Sequence, residues 1–152
     1  MGAFPPLIRA HRRSWATILT LGLTLLASGC GGGGQPTAAA RTVLGVNERD
    51  FRISAPAQVR AGDVTLRVHN QGPDQHELIV VQVGTRGLPM RTDGFTIDED
   101  AIQRAEVGSL EPGAPGAQRD LRLHLTPGRY VLFCNMAGHY MGGMHASLVV
   151  SS

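Results

Sequence analysis

The sequence contains no lysine: all 14 of its basic residues are arginines, set against 12 acidic residues. We read that preference as compositional and attach no function to it. Charge of one sign is also missing. Arg9, Arg12 and Arg13 lie in the first 30 residues, which hold no acid, so the rest of the chain carries 11 basic and 12 acidic residues. A nearly neutral chain lacks the basic footprint of a nucleic-acid binder. There are only two cysteines, Cys30 and Cys134. They could form one disulfide, but one ends an apolar run and the other sits in a dense C-terminal cluster, which gives them separate tasks. No apolar run reaches the roughly 20 residues needed to cross a bilayer. Internal repeats are absent, and so are the regular crossover helices of a parallel α/β fold. What remains, at 42% hydrophobic and 17% charged residues, is the composition of one globular domain rather than of a disordered chain.

The N-terminal segment reads as an export signal over residues 1–29. Arg9, His11, Arg12 and Arg13 supply the positive region, and Trp15 to Ala27 supplies an apolar core of the right length. The paired arginines also bear a faint likeness to a twin-arginine signal. The core ends in Leu26-Ala27-Ser28-Gly29-Cys30, which resembles a bacterial lipobox, the motif in which the chain is cut before the cysteine and the cysteine is acylated. Gly31 to Gly34 follow, then Gln35-Pro36-Thr37 and three alanines. Residues 30–41 therefore read as a flexible tether on a lipidated Cys30. The expected location is extracytoplasmic, anchored to a bacterial cell membrane.

Residues 42–152 read as the folded domain. Thr42 to Val46 is rich in β-formers, and Phe51-Arg52-Ile53 alternates apolar with polar. Val64, Leu66 and Val68 alternate with Thr65, Arg67 and His69, the period-two signature of a strand with one buried face. Leu78 to Val83 is an almost unbroken apolar strand, and Leu121 to Leu125 alternates cleanly. Arg129 to Cys134 and His145 to Val150 complete the set. Residues 84–118 are rich in glycine and proline. Within them Thr96-Ile97-Asp98-Glu99 has the form of a capping box and predicts one short helix over Asp98 to Ala105. Seven or eight short strands with turns between them predict an all-β, antiparallel sandwich or barrel.

The chemistry is concentrated in Cys134-Asn135-Met136-Ala137-Gly138-His139-Tyr140-Met141-Gly142-Gly143-Met144. A thiolate, an imidazole and a thioether fall within one loop between two strands. Soft sulfur with imidazole selects copper over hard cations, and two histidines with one cysteine and a weak axial methionine form the electron-transfer arrangement. The second histidine is best supplied by His76, directly after the chain break at Asn70–Asp74 and at the start of the buried strand. Cys134 ends a strand, four residues let the chain turn so that His139 faces the same point, and Gly142 and Gly143 bring Met144 beneath it. His145, next to Met144, is the nearest rival ligand. His69 and His124 fall on polar strand faces.

These residues resemble the cupredoxin family. Phe51-Arg52-Ile53, Val59-Arg60-Ala61-Gly62, Val64 to Asn70, Gly72 and His76 look like the first half of a cupredoxin. The Cys-x4-His-x4-Met loop is most similar to those of rusticyanin- and auracyanin-like members. The resemblance covers about residues 42–152 and is weakest over 84–118. It implies a Greek-key β-sandwich, a single type 1 copper ion held by His76, Cys134, His139 and axial Met144, and one-electron transfer between membrane-associated redox proteins such as a cytochrome and a terminal oxidase or reductase, by a monomer. One position departs from the pattern. Glu77 stands where the family often has Asn, Ser or Thr to brace the ligand loop; it would favour Cu(II) if turned inward, or lie on the surface.

Two other functions compete. A copper storage or delivery module would use the extra sulfurs of Met136 and Met141, yet the methionines form no repeated tract. An enzyme is disfavoured: a dinuclear copper centre needs two bridging cysteines, and the domain has one. A multicopper oxidase needs several His-x-His pairs, and there are none. The exposed edge of His139, ringed by Gly138, Met141, Gly142 and Gly143 and extended by Leu88, Pro89 and Met90, is the expected docking face.

Overall fold

The computed structural model describes residues 41–152. The export signal, Cys30 and all but the last residue of the tether lie outside the described residues.

The described chain runs through β1 (Thr42–Arg49), β2 (Arg52–Ser54), β3 (Gln58–Arg60), β4 (Gly62–Asn70), β5 (His76–Val83), a single-turn helix α1 (Glu99–Ile102), β6 (Glu106–Gly113), β7 (Gln118–Leu125), β8 (Gly128–Phe133) and β9 (His145–Ser151). One sheet has the order β2-β1-β4-β7 and the other β3-β9-β8-β5-β6. Alternation along β1, β4 and β7 sends Leu44, Val46, Val64, Leu66, Val68, Leu123 and Leu125 to the same core as Leu78, Val80, Tyr130, Leu132, Leu148 and Val150 of the facing sheet. Each such side chain, fully removed from water, stabilises the fold by about 1.5–3 kcal/mol.

The unbroken apolar run of β5 has a second cause. Its other face, Ile79 and Val81, is covered with Phe133 by Ile97 and Ile102 of the insert. A strand buried on both faces has no reason to alternate.

Three expectations are corrected. There are nine strands among the described residues, not seven or eight. The additions are β3, only three residues long, and β6, whose glycines and Pro112 hide a strand. Proline is tolerated there because β6 lies at a sheet edge. The sheets are mixed rather than antiparallel, since β1 pairs with β4 and β3 with β9 in parallel. Finally, the helix stops at Ile102, because Glu106 is drawn into pairing opposite Val81. Its N-cap is Asp98, whose side chain accepts from the Ala101 amide, while the Thr96 hydroxyl turns to Asp93. No described helix is long and apolar enough to cross a membrane.

Candidate metal centre

Two loops converge on the donor residues. The first follows β4. Fully buried Asn70 donates to the carbonyls of Asp74 (2.8 Å) and Gly113 (2.9 Å) and accepts from the Gly72 amide (2.9 Å). This latch fixes the segment that delivers His76 to the first residue of β5. Arg119 of β7 secures it from below, donating to the His76 carbonyl (3.1 Å), to the Glu48 carboxylate (2.8 Å) and to the Glu111 carbonyl.

The second is the loop from Cys134 to Met144. Its ends meet where the Cys134 amide donates to the Met144 carbonyl at 3.2 Å. Inside it the amides of His139, Gly142 and Met144 donate to Met136, Gly138 and His139 in turn. These tight turns fold the loop back so that Met144 is wholly buried in the core cluster that contains Cys134. Asn135 carries the outer attachments. Its side chain pairs with both the amide (2.6 Å) and carbonyl (3.0 Å) of Ile97 and donates to Glu99 at 2.6 Å. The insert is thereby clasped to the ligand loop, a role for residues 84–118 that their composition concealed.

Glu77 neither faces the site centre nor lies free on the surface. Half-buried, its carboxylate accepts the Asn135 amide at 3.0 Å and so bridges the two loops. Burial raises its pKa, partly countered by that hydrogen bond. The sequence reading placed a brace at this position in the family; glutamate here supplies one with a longer arm.

The donor atoms of His76, Cys134 and His139 all lie within 4.8 Å of one another. Cys134 Sγ is 3.5 Å from His139 Nδ1, and the two imidazole rings stand 5.2 Å apart at 61°. Burial holds the His76 pKa below its ordinary value, with Asp50 opposing, and pushes the Cys134 thiol up. His76 Nδ1 is buried and has no hydrogen-bond partner. A neutral imidazole nitrogen left without a partner in the interior is an expense that a metal bond relieves. This donor set of two imidazoles, a thiolate and a buried thioether fits copper.

The comparisons agree. Residues 35–152 match the family model described as the sulfocyanin (SoxE) domain. The chain belongs to the sulfocyanin family, a family of cupredoxins. Dithionite-reduced auracyanin from Roseiflexus castenholzii has a TM-score of 0.57 with it at 19% identity, covering 73% of this chain and 98% of that one. Auracyanin A, a "blue" copper protein from Chloroflexus aurantiacus, gives 0.55 at 19%, covering 74% and 100%. Rusticyanin from Thiobacillus ferrooxidans gives 0.55 at 16%, covering 73% and 77%. At these identities the structures speak for the fold, a cupredoxin β-sandwich. No curated protein matches the chain. Cupredoxins of this family bind one copper ion, and the sulfocyanin fold described above carries a type 1 site for it.

Other sequence-level expectations are sorted by the same geometry. His145 is exposed, outside the donor cluster, with its ring 5.0 Å from that of Tyr140. His124 is exposed and paired with Asp63 at 2.9 Å. Leu88 and Met90 are partly buried against the cluster of Ile79, Val81, Ile97, Ile102 and Phe133. The ring of Phe51 meets His139 edge-on at 5.4 Å, and the Phe95 carbonyl accepts the Gly138 amide. Phe51, Phe95 and Met141 are 53%, 62% and 61% exposed. The alternation of Phe51 with Ile53 suggested a shared buried face, but β2 begins at Arg52 and Phe51 stands in the turn before it, exposed, while Ile53 is buried.

Proposed function

We propose that this sulfocyanin-family protein is a one-electron carrier, tethered to the outer face of a bacterial membrane by lipidated Cys30. It would serve membrane-associated redox proteins, such as a cytochrome and a terminal oxidase or reductase, as a monomer without enzymatic activity of its own. Copper would be held by His76 Nδ1, Cys134 Sγ, an imidazole nitrogen of His139 and the thioether of Met144. A copper ion held there supplies a Cu(II)/Cu(I) couple.

The observation that carries this reading is the unpartnered, buried Nδ1 of His76 within 4.8 Å of the donor atoms of Cys134 and His139. The residues around it do the rest. The Asn70 latch, the Glu77–Asn135 bridge and the closed Cys134–Met144 loop hold the donors in one geometry, so little must move when the charge changes. Buried Cys134 and Met144 are kept from water. His139 is the least buried of the four, at 9% exposure, and its ring meets that of exposed Phe51 edge-on. An exposed phenylalanine against the outermost histidine suits brief contact with a redox partner. Cys134 must give up its proton on metal uptake, so loading weakens as pH falls.

Storage or delivery would need donors that an acceptor can reach, and three of the four, His76, Cys134 and Met144, are wholly buried. Voltammetry of the copper-loaded chain separates the readings. A reversible one-electron wave with copper retained through repeated cycles is expected; copper loss on reduction would overturn the carrier reading.

A further inference from the structure

The turn between β1 and β2 reaches across to both histidines. It consists of Asp50 and Phe51 alone, between the paired residues Arg49 and Arg52. Asp50 Oδ1 lies 3.0 Å from His76 Nε2, the ring nitrogen on the far side from the unpartnered Nδ1. Phe51, the one non-glycine residue with positive φ (60°) among those described, sets its ring edge-on to His139. A backbone conformation that ordinary side chains avoid persists only where the surroundings impose it, and such strain gathers at functional sites.

The surroundings are shaped to fit. A Cβ at Gly72 would fall 2.6 Å from Asp50 Oδ1 and 2.7 Å from His76 Nε2. Only glycine leaves room for that contact. A Cβ at Gly142 would fall 2.3 Å from the Phe51 ring. Two glycines on two different loops thus make space for the two residues of one turn.

We infer that Asp50 is a positioning residue for the metal centre, holding His76 as the Nε2–H tautomer so that Nδ1 faces the metal, and placing a negative charge behind the ligand that favours the oxidised ion. The reason is general. A carboxylate that accepts the outer N–H of a ligand imidazole fixes its tautomer and ring orientation and raises its basicity, and losing such a partner weakens metal binding by about 10- to 100-fold. A more basic imidazole and a nearby anion both stabilise Cu(II) over Cu(I). The inference rests on His76 being a ligand.

The experiment compares Asp50→Asn, Asp50→Ala, Gly72→Ala and His76→Ala in the full chain, with circular dichroism as the check on folding. Nitrogen-15 NMR before copper is added reads the His76 tautomer; voltammetry and Cu(II) competition follow on loaded protein. Asp50→Asn keeps an acceptor oxygen without the charge, so it should keep the tautomer and raise the reduction potential. Asp50→Ala should mix the tautomers, bind Cu(II) about 10- to 100-fold more weakly and raise the potential. Each tenfold loss specific to Cu(II) corresponds to about 59 mV. Gly72→Ala, by displacing the carboxylate, should follow Asp50→Ala. If tautomer and potential match the parent in both Asp50 variants, the inference is wrong even where stability has changed. If His76→Ala keeps the parent's spectrum and potential, the ligand assignment itself fails, which is a separate outcome.

Discussion

The carboxylate of Glu77 accepts the backbone N–H of Asn135 at 3.0 Å, linking the residue after one proposed ligand to the residue after another. Removing a partner from a half-buried amide leaves it unsatisfied, at about 1–3 kcal/mol. Glu77→Ala should therefore lower the unfolding free energy by about that amount. Glu77→Gln, which keeps an acceptor oxygen, should lose far less. Chemical denaturation of the two variants checks this. Equal stabilities for both would show that the hydrogen bond contributes nothing.

Glu48 gives the fold a dependence on pH. It is wholly buried beside Arg119, and burial pushes its pKa from 4.5 up to about 7. Between those two values the folded chain holds the proton more tightly than the unfolded chain, so stability should fall as pH rises from 4.5 to about 7. At 1.36 kcal/mol per pH unit the full penalty, reached above that window, is about 3 kcal/mol. Raised Glu77 adds to the slope in the same direction. Glu48→Gln has no proton to lose, so its melting temperature should change less steeply with pH. Parallel curves for parent and variant would contradict this.

Met144 and His145 are neighbours with opposite fates, one wholly buried and one exposed. Met144→Leu conserves volume and should reduce stability by less than about 1.5 kcal/mol. It should keep the thiolate-to-copper absorption while shifting the reduction potential, since the axial position tunes it. His145→Ala should leave absorption and potential unchanged. Loss of the absorption in His145→Ala, with Met144→Leu identical to the parent, would exchange their roles.

Much of this molecule was legible in its residues. Strands with one face on the core announced themselves by alternation, as in Val64-Leu66-Val68 and Leu121-Leu123-Leu125. The metal loop did so by the rarity of a thiolate, an imidazole and a thioether at such short spacing. What escaped notice had weak local signals. Edge strand β6 carries glycine and proline because only one side of it must pair. The parallel pairing of β1 with β4 is a long-range property that no period reveals. Asp50, Phe51, Asn70 and Asn135 act through hydrogen bonds and contacts to residues distant in the chain, and a lone polar residue in a turn looks the same whether or not it touches a ligand. Glu77 was singled out by its place beside His76, but its direction depended on where Asn135 would be.

The central claim is that Cys134 and His76 hold copper together, and one comparison tests it most directly. Visible absorption spectra are recorded for the copper-loaded chain and for Cys134→Ser, with bound copper measured in each. An intense thiolate-to-copper band in the parent, absent from Cys134→Ser, is the predicted result. A band of equal strength in Cys134→Ser, or none in the fully loaded parent, would contradict the account.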